Sequence, residues 1–178
     1  YPDAQGRFSF QLPEGEYAIE TTDVGRAAVR HSVKVTADGS PPLEVTMARA
    51  AAVAFEIADE LGRSLPCKVQ FHGLDGTASP NLGPQNRAHG CVDQYHSARG
   101  RFRVPLPPGK YKVIVTRGIE YSHLQQTIEL RAEESVAVKG VLKRLVDTTG
   151  WVSADYHSHS TPSGDNTCGT DDRIINLA

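Results

Sequence analysis

Two histidines separated by one residue, His157-Ser158-His159, are the feature of this sequence that points most directly at chemistry. They follow Trp151-Val152-Ser153-Ala154-Asp155-Tyr156, which reads as a short strand. On a strand, residues two apart share a face, so both imidazoles can converge on one ion. Imidazole nitrogens bind zinc at about 2.0–2.1 Å. Asp155 lies on the same face, where its carboxylate can orient a ligating imidazole. Asp165 stands beyond a Ser-Gly turn and offers a hard oxygen ligand, with Ser160 and Ser163 as hydrogen-bond partners in the loop. Thr170-Asp171-Asp172-Arg173-Ile174-Ile175 then has the cap and early acidic residues of a helix start. Strand, metal loop and helix in that order predict the first βα unit of a barrel. A bare H-x-H pair also occurs on exposed strands that hold no metal, and this context distinguishes the pair from those. The expected site is therefore a divalent metal held by His157, His159 and Asp165, supported by Asp155. Zinc suits the imidazoles best, and manganese or iron is compatible. Cys168 is close enough for thiolate ligation but reads as an incidental helix-start residue.

The elements ahead of this segment form an internal repeat. Residues 6–20 read GRFSFQLPEGEYAIE and residues 100–114 read GRFRVPLPPGKYKVI. Gly6, Arg7 and Phe8 match Gly100, Arg101 and Phe102. Leu12, Pro13, Gly15 and Tyr17 match Leu106, Pro107, Gly109 and Tyr111. Apolar residues alternate with polar ones in both copies, which is strand periodicity with one buried face. The Leu-Pro-x-Gly segment reads as a turn, because Pro fixes φ and Gly supplies φ > 0. Hairpins built this way predict antiparallel sheets packed as a sandwich. The second copy begins near Ala50, with strands expected at Val53–Ile57 and Lys68–Phe71. The first copy's equivalents of those strands would precede Tyr1. Residues 1–47 are accordingly expected to be the back half of a sandwich domain, with an apolar face and a sheet edge left uncovered. Residues 48–146 are expected to be a complete one, and residues 147–178 the truncated start of a further domain.

Residues 72–99 interrupt the second copy and read as a long loop, rich in Gly, Pro, Asn and Ser. Its His72, Asp75, His89, Asp93 and His96 are irregularly spaced, and solvated loop histidines are the favoured reading over a metal site. The formal net charge is −2 and no basic block is present, so a nucleic-acid partner is not expected. No apolar run is long enough to span a membrane as a helix. Of the three cysteines, Cys67 and Cys91 fall in one β domain, where they could pair in an oxidising compartment or remain small core residues.

Two resemblances extend this reading. The repeat, DAQGRFSFQLPEGEY and its second copy, resembles the carboxypeptidase regulatory-like, or transthyretin-like, β-sandwich family. Such modules are appended to many different proteins and imply little about activity. The segment GWVSADYHSHSTPSGDN resembles the first motif of PHP-superfamily metal-dependent hydrolases, and most closely those of the CehA/McbA type. TRGIEY, residues 116–121, is similar to a stretch just ahead of that motif. This second resemblance implies a distorted (β/α) barrel with two or three divalent metals that activate water against a small ester or phosphoester. His157 and His159 match the motif's ligands, and Asp165 matches it less closely. The later ligands of such a family have no counterpart here, so the segment on its own is not expected to turn over substrate. The expected fold is mainly β: tandem Ig-like or transthyretin-like sandwiches, the first truncated, followed by the first strand and helix start of a PHP-type barrel. The competing reading is a non-catalytic module that binds polysaccharide or another envelope component, or acts as a spacer. An extracytoplasmic location fits either reading, and the oligomeric state is not legible.

Overall fold

The computed structural model describes residues 2–82, 93–159 and 163–165, together with Thr170 and Ile174. Every element with described bounds is a strand, and Thr170 and Ile174 are helical. The chain divides into two compact units, one formed by residues 1–23 and 28–47 and the other by residues 24–27 and 48–178.

The first unit contains β1 (Gly15–Thr21) and β2 (Val29–Val35), paired antiparallel with Tyr17 opposite Val33 and Ile19 opposite His31. Both strands alternate between half-buried and exposed positions. Ahead of β1, Phe10 is 63% exposed and Leu12 40%. The residues matching the second copy's strands at Phe102 and Val138, around Phe8 and Leu43–Met47, form no ladder here. A strand requires a hydrogen-bonding neighbour, and β1 and β2 supply each other alone.

The second unit is a two-sheet sandwich. One sheet has the order β6-β3-β9, from β6 (Arg101–Leu106), β3 (Ala51–Ala58) and β9 (Ser135–Val141). The other has the order β5-β4-β7-β8, from β5 (Gln94–Ser97), β4 (Cys67–Leu74), β7 (Gly109–Thr116) and β8 (Leu124–Leu130). Period-two alternation on both inner faces builds one core. Val53, Phe55, Ile57 and Val104 come from the first sheet, and Val69, Phe71, Tyr111, Val113 and Val115 from the second. Phe55 stacks on Phe102 at 4.7 Å, Phe102 on Tyr95 at 5.5 Å, and Phe71 meets both Phe55 and Tyr111 edge-on.

Three expectations are corrected. First, the Leu-Pro-x-Gly turn of the second copy is not a hairpin. It carries the chain from β6 in one sheet to β7 in the other. Tyr111 secures this crossing by donating its hydroxyl hydrogen to the Pro107 carbonyl at 2.9 Å, the arrangement of a tyrosine corner. Tyr17 makes the same 2.9 Å bond to Pro13 in the first copy. Second, the insertion at 72–99 is not all loop. β4 runs on to Leu74, and β5 adds an edge strand, because Lys68, Val69 and Gln70 find partners in His96, Tyr95 and Gln94. Third, residues 151–159 have no ladder partner among the described residues, so the predicted strand there is a segment without regular structure, with a bend at Tyr156.

A turn missed at the sequence level occurs twice. In Asp3-Ala4-Gln5-Gly6-Arg7 and Asp59-Glu60-Leu61-Gly62-Arg63 the Asp carboxylate accepts from the backbone amides of the third and fifth residues and from the Arg Nε. Gly6 and Gly62 both have positive φ, near +77° and +75°. The signature was readable as Asp-x-x-Gly-Arg. It lies outside the register of the long repeat, which concealed it.

Candidate metal centre

The sandwich ends at Leu142, which is fully buried, and the chain then runs across Asp147–Gly150 into the histidine segment. Asp147 accepts from the Thr149 amide at 3.0 Å and from its hydroxyl at 2.6 Å, and the Trp151 amide donates to the Thr148 carbonyl at 2.9 Å.

His157 Nε2 and His159 Nε2 lie 2.8 Å apart, with the two rings stacked at 4.9 Å and inclined by 21°. His159 Nδ1 lies 2.8 Å from Ser163 Oγ and 2.9 Å from Asp165 Oδ1. The Ser163 hydroxyl donates to the same Asp165 oxygen at 2.6 Å. With a proton on Nδ1 directed at those two oxygens, His159 Nε2 carries a lone pair and accepts, here from His157 Nε2; an Nε2 acceptor is also the tautomer a metal ligand needs. Hydrogen bonds from Ser163 and His159 hold the Asp165 carboxyl below its ordinary range. Asp155 accepts from the His157 amide at 2.9 Å and from the Ser158 hydroxyl at 2.8 Å, fixing the backbone between the two ligands.

The structure thus brings together His157, His159 and Asp165, with Asp155 bracing the loop. Asp165 reaches the pair from behind, at Nδ1, the position of an orienting carboxylate. Ser163 joins it there. At a metal–nitrogen distance of about 2.05 Å, nitrogens 2.8 Å apart subtend roughly 90°, the angle between neighbouring ligands of a six-coordinate ion. Widening the pair by about half an ångström reaches the tetrahedral angle preferred by zinc. Two imidazoles and a carboxylate are donors of the kind a divalent cation takes, while here the two Nε2 atoms stand in direct hydrogen-bond contact. Among the described residues no group of three or more His, Cys, Asp or Glu converges on one point. A catalytic zinc ordinarily has three protein ligands. His157 and Asp165 are exposed and His159 is only half-buried, so this segment does not enclose its own dry site.

The alternative cluster in the insertion is dispersed. Asp75 pairs with Lys110 at 2.6 Å, His72 Nδ1 lies 3.8 Å from Asp93 Oδ2, and His96 sits opposite Lys68 in the ladder. His89 lies outside the described residues, as do Ser160, Cys168 and Cys91, the proposed partner of Cys67. Cys67 itself is a buried free thiol, pushed up to about 12 by desolvation. Of the predicted helix start at 170–175, only Thr170 and Ile174 are described. No described helix is long and apolar enough to cross a membrane.

No family model matches the chain, and no curated protein does. Among solved structures, the chain is similar to GBS52, the minor pilin of the Gram-positive pathogen Streptococcus agalactiae, with a TM-score of 0.40 and 12% identity. The match covers 81% of this chain and 66% of the pilin, so the chain spans slightly less than two thirds of that protein's length.

Proposed function

We propose that residues 151–165 are the first metal-binding segment of a divalent-metal-dependent hydrolase of the PHP type, and that the β-sandwiches are its accessory domains. The observation that carries this reading is that the two imidazoles meet through Nε2 atoms 2.8 Å apart, with Ser163 and Asp165 engaging the Nδ1 of His159. In such an enzyme the bound metal would polarise an ester or phosphoester and make water nucleophilic at neutral pH. The residues of this chain have narrower tasks. His157 and His159 hold the ion. Asp165 and Ser163 fix the His159 tautomer, and Asp155 fixes the backbone between the ligands. The remaining ligands, the substrate contacts and an enclosing cavity would come from a larger protein containing this chain, placed by this reading outside the cytoplasm.

The test is zinc and manganese binding to the chain itself, by equilibrium dialysis and by histidine NMR shifts. Two imidazoles should bind zinc weakly, and His157→Ala or His159→Ala should abolish binding. Asp165→Asn should weaken binding by about 10- to 100-fold through the lost orientation of His159. Zinc binding indifferent to both histidine substitutions would overturn the reading, and would favour a sandwich module that binds an envelope component or serves as a spacer.

A further inference from the structure

We propose that Glu120, Arg144 and Thr148 form a clamp that fixes the turn leading to the histidine segment against the end of the second sandwich, so that Glu120 and Thr148 are positioning residues. The functional meaning rests on the metal reading above. The clamp itself rests on geometry alone.

After Leu142 the chain has left the sheet, yet it remains tied to two loops. The Ser122 amide donates to the Lys143 carbonyl at 2.8 Å, and the Leu145 amide to the Glu120 carbonyl at 2.8 Å. The Lys143 amide donates to Ser122 Oγ at 2.8 Å, and the Arg144 amide to Glu60 Oε1 at 2.7 Å. These bonds hold residues 143–145, and side chains carry the attachment further. Arg144 Nη2 donates to Glu120 Oε2 at 2.7 Å and to Thr148 Oγ1 at 2.6 Å. The Thr148 hydroxyl donates in turn to Glu120 Oε2 at 3.2 Å, closing a triangle. The guanidinium carbon stands 5.6 Å from the Tyr121 ring centre, in cation–π range.

Thr148 is the hinge of this arrangement. Its side chain is bound to the sandwich while its carbonyl accepts the Trp151 amide at 2.9 Å. A peptide can span at most about 3.3–3.6 Å per residue, so His157 stays within roughly 20 Å of Trp151 wherever the segment swings. Pinning Thr148 therefore confines the metal pair to one end of the sandwich. A single exposed ion pair contributes little to stability, so the consequence of this one is geometric. The sandwich is then a fixed platform for the metal segment, not a freely tethered spacer.

Trp151 is the only tryptophan, so its fluorescence reports on the pinned turn without mutagenesis. In the 178-residue chain, time-resolved anisotropy of Trp151 should contain a slow component matching tumbling of the whole sandwich. Thr148→Val, which keeps the shape and removes the hydroxyl, should cut the amplitude of that component at least about twofold. Glu120→Ala should do the same, and Glu120→Gln, which retains an acceptor, should fall between. The far-UV spectrum and melting of the sandwich should not change, which separates release of the turn from loss of the fold. An unmodified chain with no slow component, or a Thr148→Val chain with an unchanged one, would overturn the clamp. Failure of the metal reading would appear separately, as absent zinc binding with the anisotropy pattern intact.

Discussion

Replacing Tyr111 by Phe removes one oxygen atom from the centre of the fold and isolates the value of a single bond. Tyr111 is 1% exposed and its ring packs edge-on against Phe71 at 6.5 Å. Phe preserves that packing and the apolar area, so the cost is the hydroxyl's bond to the Pro107 carbonyl at 2.9 Å. Phe cannot replace the lost donor. A buried acceptor left without one costs about 1–3 kcal/mol. Pro107 is only half-buried, so water partly repays the loss and the cost should fall near 1–1.5 kcal/mol. In a domain of this size that is about 5–10 °C in melting temperature. Urea denaturation followed by near-UV dichroism measures it, with an unchanged slope confirming that compactness is preserved. Tyr17→Phe serves as the control, because the same 2.9 Å bond to Pro13 is open to solvent. Amide exchange in β1 and β2 should change by less than about 0.5 kcal/mol. A neutral Tyr111→Phe, or equal costs at both positions, would refute the claim that burial of the crossing gives the bond its value.

Two further outcomes follow from the core. Gly100→Ala should destabilise the second unit by at least about 3 kcal/mol, since an added Cβ would lie 1.8 Å from the Ile57 carbonyl oxygen. Gly6→Ala meets open space and should cost only about 1–2 kcal/mol, through its positive φ near +77°; guanidinium titrations of both variants check the contrast. The desolvated Cys67 thiol, raised in the fold to about 12 against an unfolded value near 8.5, lends stability that is complete below the unfolded value and lost as pH rises toward the folded one. Denaturation midpoints at pH 8 and pH 10.5 should therefore diverge, and Cys67→Ala should narrow the gap. An identical pH response in that variant would assign the alkaline loss elsewhere.

The sandwich was legible because its signal is local. Phe102 and Val104, or Tyr111, Val113 and Val115, alternate with polar neighbours whatever else the chain does. What alternation cannot show is which sheet a strand joins. β6 and β7 follow one another across only Pro107 and Pro108, as hairpin strands would, and separate because the core must be closed from both sides. β5 was hidden for a related reason: Gln94, Tyr95 and His96 carry no apolar stripe, and β4's free edge recruits them. Matching Gly6 to Gly100 was correct as sequence and misleading as physics, since one supplies φ and the other supplies room. At the metal segment, the H-x-H spacing found the two ligands. Placing Asp165 behind His159 required the fold of the Ser163 turn, which no periodicity encodes.

The parallel pairing of β3 with β9 has a consequence for how the protein is made. Ala52 lies beside Ser135 and Ala58 beside Val141, so the first strand of the second unit waits for its last. At about 5–20 residues per second, translation leaves that flank of β3 bare for roughly 4–16 seconds. Val53, Phe55 and Ile57 are all in that strand, so the nascent chain presents its most adhesive segment early and covers it late. A ribosome-bound chaperone that recognises short apolar strands would find its target here, and slower decoding between β8 and β9 would lengthen the risk of pairing with a neighbouring chain.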